Sequence, residues 1–129
     1  MLADEVARIY EIIGADGIAR LTAAFYQHVS LDEVLRPMYP DVDLSGAETR
    51  LRDFLTFRFG GPQHYIAQRG HPRLRIRHAP FPVDQRARDR WVALMEQALE
   101  EAAIPAPVVT ALRAFFQDVA TFLINRLTP

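Results

Sequence analysis

Three histidines, His64, His71 and His78, stand seven residues apart in a stretch without a single carboxylate. Between Asp53 and Asp84 the charged residues other than histidine are Arg58, Arg69, Arg73, Arg75 and Arg77. Imidazole can ligate a metal, and guanidinium can grip phosphate or carboxylate. On an unbroken helix the three rings would align, but Gly70 and Pro72 interrupt it, which argues against a three-histidine zinc site. His78, in "RLRIRHAPF", leaves three readings open: a metal ligand, part of a phosphate grip, or an ordinary surface turn.

Other catalytic signatures are missing. There is no phosphate loop, nucleophile elbow or paired-histidine zinc-protease motif. The chain has no cysteine, which excludes disulfides and thiolate ligands. Tyr26, Tyr39 and Trp91 each carry one polar hydrogen on a large apolar body, on or beside an expected buried face. Singly, such residues fill cores and satisfy their donor locally. Together with one histidine and an arginine belt, they suit a flat, mostly apolar cofactor with an anionic edge and a ligandable metal.

The elements that must position these groups are helices. Apolar residues recur at a spacing near 3.6. Val6, Ile9, Tyr10 and Ile13 form a stripe that stops at Gly14, and Ile18, Leu21, Ala24, Phe25 and Val29 form the next. Ser45 and Glu48 read as a capping box opening a helix that buries Ala47, Leu51, Phe54, Leu55 and Arg58 and closes at Gly60, Gly61 and Pro62. Asp84 is placed to cap a helix carrying Ala87, Trp91, Leu94, Met95, Ala98 and Ala102 on one face. Pro107 suits the first turn of the last helix, which runs through Val108, Leu112, Phe115, Phe116, Val119, Leu123 and Leu127. "RLRIR" alternates like a strand but has no partner strand, so a loop or a single helical turn is expected there. The result is one all-α domain spanning residues 1–129.

Length and composition agree. A chain of 129 residues can hide roughly two-thirds of its unfolded surface, enough for a core with room for a ligand. No stretch approaches the ~20 apolar residues of a membrane span, and no export signal is visible at the N-terminus. A cytoplasmic location is expected. The net charge of −1 hides a basic, acid-free segment, which suggests an anionic partner. One alternative is a small helical nucleic-acid-binding module using Arg69 to Arg90, although these arginines lack a long helical face. A cofactor-free sensor domain, in which His78 would be dispensable, is another.

Several motifs go further. "FY" at Phe25–Tyr26, "LRPMYP" at Leu35–Pro40, "DLSGAETRL" at Asp43–Leu51, "FGGPQHY" at Phe59–Tyr65, "QRGHPRLRIRHAPF" at Gln68–Phe81 and "RDRW" at Arg88–Trp91 resemble the bacterial truncated haemoglobins of group II (O type). The likeness covers roughly residues 6 to 127. It implies a shortened globin, a two-over-two helical sandwich around haem b. Two departures stand out: the early glycine pair is Gly14–Ala15, and Phe59 replaces the tryptophan many members carry before the later glycines.

By this resemblance His78 is the axial iron ligand, with Pro80 ending its turn. Tyr26, Tyr39 and Trp91 surround the bound gas, and Ala47 takes the place of a distal histidine and leaves an access path. Leu51 and Phe54 line the cavity, with Met38, Met95 and Val119 as outer wall. The propionate partners are Arg50, Tyr65, His71 and Arg77, whereas Arg73, Arg75, Arg86 and Arg88 are assigned to solvated surface. The ligands implied are dioxygen, NO, CO or peroxide, with an unidentified reductase if the protein is redox-active and no nucleic acid. Oligomeric state is left open. Two or three donors at about 1–1.5 kcal/mol each give ~3–4 kcal/mol, hence roughly a few-hundred-fold slower oxygen release.

Overall fold

The structure is a computed structural model and describes residues 6–40, 42–62, 74–79 and 81–126. Five helices occur among these residues: α1 (Ile9–Leu31), α2 (Ser45–Arg58), α3 (Leu74–His78), α4 (Gln85–Glu101) and α5 (Ala106–Phe122). A 3₁₀ turn at Arg36–Met38 lies between α1 and α2. No strand is present among the described residues, and the alternating stretch is a helical turn from Leu74 on, with Arg73 outside the described residues. α1 packs against both α2 and α4, and α4 packs against α5, giving a two-over-two sandwich.

Periodicity explains which faces meet. α1 buries Ile18, Leu21, Phe25 and Val29, spaced three or four apart, against Leu55 of α2 and Leu94, Met95 and Ala98 of α4. Leu112, Phe115 and Phe116 of α5 close the core. Each fully buried Leu or Phe of this set contributes about 1.5–3 kcal/mol. α1 is interrupted where the sequence places its first stop. Gly14 has φ +65° and ψ −176°, a conformation that side chains disfavour, and the helix changes direction there.

Two ends of α2 repay attention. The expected capping box is not formed: Leu44 flanks the helix and Ser45 is already its first residue. Asp43 instead accepts the Ser45 backbone N–H at 2.6 Å, and the Ser45 hydroxyl as well. An aspartate two residues upstream competes for the same orphan donors and wins here. At the other end, Gly60 has φ +90°, and a Cβ there would lie 2.0 Å from the carbonyl oxygen of Ala7. This close approach lets the Tyr10 N–H donate to Phe59 O at 2.9 Å.

The remaining boundaries follow the sequence more closely. Asp84 caps α4, accepting from the Ala87 N–H at 2.9 Å. Pro107 lies in the first turn of α5, which ends at Phe122, so Leu123 flanks the helix and does not belong to it. Leu127 lies outside the described residues. No described helix is long and apolar enough to cross a membrane.

Candidate functional site

A cavity of about 350 Å³ opens between α2, α3, α4 and α5. That is within the usual range for small-molecule and cofactor sites. Its walls are mainly apolar: Leu35, Met38, Leu51, Phe54, Phe115 and Val119 all contribute.

His78 forms one side. It is the last residue of α3, half-buried, and its Nδ1 lies 2.8 Å from the carbonyl oxygen of Leu74 one turn back. A carbonyl can only accept, so Nδ1 carries a hydrogen, and in the neutral ring Nε2 keeps the lone pair. The ligating form of the imidazole thereby has a defined tautomer. The edge of Phe81 lies against it, ring centres 6.5 Å apart. Among the described residues no group of three or more His, Asp or Glu side chains could hold a metal. A metal held at His78 by the described residues alone would bring most of its own ligands, as a tetrapyrrole does.

Tyr26, Tyr39 and Trp91 line another part of the same cavity, and the fold holds them tightly. Tyr26 comes from α1 beside Phe25, whose ring contacts both Tyr26 and Trp91 at 5.0 Å between centres. Trp91 in turn meets Phe116 at 5.6 Å, and Tyr26 meets Tyr39 edge-on at 5.8 Å. Edge-to-face contacts of this kind fix ring orientation as well as burying area. Tyr39 follows the 3₁₀ turn, and Arg36 holds its carbonyl at 3.1 Å. The segment leading into that turn starts at the buried Asp32, whose carboxylate accepts the Leu35 and Val34 N–H groups and the Arg90 guanidinium of α4.

The electrostatics follow from burial. The Tyr26 and Tyr39 hydroxyls are hydrogen-bonded to one another. Burial pushes both phenols above the ordinary tyrosine range, further for Tyr26 because Tyr39 also disfavours its ionised form. Both are neutral donors at any ordinary pH. The Trp91 indole N–H has no acceptor among the described residues, so it is available to whatever fills the cavity. At Asp32, burial works against the charge. The Leu35 N–H, the Arg90 guanidinium and the Val34 N–H outweigh it and hold the carboxyl below its usual range.

The structure gathers most of the residues singled out from sequence around one cavity. His78, Arg77, Arg50, Leu51, Phe54, Ala47, Tyr26, Tyr39 and Trp91 all line it, as do Met38 and Val119. Met95 does not: it is buried in the core between helices, because its position on α4 faces α1. Tyr65, His71 and Pro80 lie outside the described residues. Arg88, assigned to surface, lines the cavity, its guanidinium reaching Thr121 Oγ1 at 3.0 Å and the Gln117 carbonyl on α5. Asp43 also lines it, so the rim is not free of acid. The lining still holds three guanidinium groups, of Arg50, Arg77 and Arg88, against that one carboxylate. An apolar slot with an imidazole lone pair inside and cations at its rim fits a metal-bearing apolar ring with carboxylate edges.

Sequence reading missed Asn125 altogether. Its side chain contacts the segment around His78 from 42 to 47 residues away, which leaves no local pattern.

The model of the bacterial-like globin family matches residues 8–125, and the chain belongs to that family. Within it, the chain is a group II truncated haemoglobin. It is 32% identical over 117 residues to a group 2 truncated hemoglobin of Bacillus subtilis, covering 91% of this chain and 88% of that one. Among solved structures, it resembles the hemoglobin of the phototroph Chloroflexus aurantiacus (TM-score 0.88, 42% identity, 92% of this chain and 98% of that one). It likewise resembles the group II truncated hemoglobin of Bacillus anthracis (TM-score 0.90, 31% identity, 95% and 94% covered). A truncated oxygen-avid haemoglobin from Bacillus subtilis is similar too (TM-score 0.87, 31% identity, 92% and 99% covered). The family is one of haem proteins that bind small diatomic ligands such as dioxygen.

Proposed function

We propose that this chain holds haem b through His78 and retains dioxygen tightly beneath Tyr26, Tyr39 and Trp91. The observation that carries the reading is the Nδ1–Leu74 contact, which leaves the Nε2 lone pair of a cavity-lining imidazole for a metal. Haem, when bound, would supply an iron that can take the His78 imidazole and a diatomic gas as ligands.

The chain's own residues do the rest. The Leu74 carbonyl keeps the imidazole oriented, with Nδ1 as the donor. Arg77 and Arg50 are the partners for the propionates, with Arg88 as a third cation at the rim. The hydroxyl of the Tyr26–Tyr39 pair whose hydrogen is not used between them and the Trp91 indole donate to the bound gas, and their apolar surroundings strengthen each donation. Ala47, being small, leaves access from α2. Two such donors correspond to ~2–3 kcal/mol, or roughly a hundredfold slower release. The oxygen-avid relative from Bacillus subtilis supports that direction.

A ligand held this firmly suits redox chemistry better than transport. Consumption of NO or peroxide with electrons from a separate reductase is the role that follows, and NO and CO would also bind. The test is oxygen dissociation by stopped flow. The wild type releases slowly, and Trp91→Phe releases several-fold faster. An unchanged rate removes the indole from the account.

A further inference from the structure

α3 has only five residues, Leu74–His78, and a helix of that length has no stability of its own in water. Apart from Leu74 and His78 its side chains are exposed, so packing does little to fix it. Yet the axial imidazole is carried on its last residue. Something else must hold it.

The chain just after α5 does so from two directions. Asn125 presents its side-chain amide to the end of α3: Nδ2 donates to His78 O at 3.1 Å and to Phe81 O at 3.0 Å. Its Oδ1 accepts the Val83 N–H at 2.9 Å, and its own backbone N–H donates to Val83 O at 2.8 Å. The amide's orientation follows from chemistry, since two carbonyls require donors and one N–H requires an acceptor. From the other direction, Arg75 of α3 donates to the carbonyls of Phe122 and of Ile124, the latter at 3.1 Å. Its guanidinium also lies over the Phe122 ring. A cation at the C-terminal end of α5 is favoured by the helix dipole.

We infer that Asn125, with Arg75, is a positioning residue for the axial histidine, clasping the short helix so that the His78 ring keeps one orientation. This rests on the reading of His78 as metal ligand. Asn125 is not among the residues that line the cavity. It acts by fixing the backbone on which the imidazole stands.

The test uses the haem-loaded protein and two isosteric replacements. Asn125→Leu removes the amide bonds to His78, Phe81 and Val83, and Asn125→Asp keeps an acceptor for Val83 but sets carboxylate oxygen against two carbonyls. Resonance Raman spectra of the ferrous protein report the metal–imidazole stretch directly, and His78→Gly identifies that band. Both variants should shift or broaden it while leaving the CO stretch, which senses the distal donors, unchanged. Haem transfer to an acceptor apoprotein should accelerate about tenfold, the usual scale for residues that orient a metal ligand. Amide exchange at Phe81, whose N–H donates to His78 O, should quicken with and without haem. If Asn125→Leu does not fold, Arg75→Gln should move the same band. Variants that melt earlier but keep a wild-type band and transfer rate overturn the clasp. A wild-type band that is absent, or that survives His78→Gly, overturns the axial-ligand reading itself, and the clasp falls with it.

Discussion

The His78 ring donates Nδ1–H to the Leu74 carbonyl at 2.8 Å, four residues back on the same short helix. Main-chain and side-chain geometry together thus select one tautomer and one ring direction before any metal arrives. In haem-free protein, nitrogen NMR of the neutral His78 ring should show its proton on Nδ1. A proton on Nε2 would mean that the Leu74 bond does not govern the ring.

Tyr26 and Tyr39 share a hydrogen bond in a buried setting. Tyr26→Phe should therefore lose about 1 kcal/mol of stability and speed oxygen release. The pH dependence has a definite sign. Both phenols titrate higher folded than unfolded, so their contribution is fully present below an unfolded pKa of about 10 and declines as pH rises above it. Denaturant titrations across that range should show stability falling with pH, less steeply in Tyr26→Phe. Equal slopes would contradict the burial assigned here.

Asp32 behaves in the opposite sense. Its carboxyl titrates lower in the folded chain, so the stability it contributes is present above an unfolded pKa of about 3.9 and is lost as pH falls through the folded value. Asp32→Asn should destabilise by about 1–3 kcal/mol, the range for hydrogen bonds to a charged group, and should flatten the acid limb of the stability profile. Because Asp32 anchors the turn before Tyr39, oxygen release should also quicken. Arg90→Gln should show a smaller version of both effects, since that side chain is half exposed.

Gly60 has neither the dihedral freedom nor the space to accept a side chain. With φ at +90° and the Ala7 carbonyl 2.0 Å from where a Cβ would sit, Gly60→Ala should lose about 1–3 kcal/mol or more in thermal unfolding. Gly46→Ala, at an ordinary helical position with only the mobile Arg50 guanidinium nearby, serves as the contrast and should be close to neutral.

How much of this was legible beforehand depended on the range of the interaction. Helical faces such as Ile18–Leu21–Phe25–Val29 repeat locally, and Asp84 caps the residues next to it, so both could be read directly. The motif likeness placed Tyr26, Tyr39 and Trp91 near His78, which periodicity alone could not do. Ser45 failed as a cap because Asp43, equally able to accept, stood two residues earlier. Met95 lies in the core and outside the cavity lining, a distinction hidden from sequence because a helical face looks the same whether it meets another helix or a cavity. Arg88 looked like any solvated arginine until α5 supplied Thr121 and Gln117 as partners. Asn125 carries no hydrophobic period at all. Its meaning is entirely tertiary.

The most direct measurement is the absorption spectrum of protein purified with haem supplied, beside that of His78→Ala. The account predicts an intense haem band in the wild type that collapses or shifts in the variant, while the far-ultraviolet helical signal stays largely in place. A folded wild type that remains colourless, or a variant whose band is identical, would contradict it.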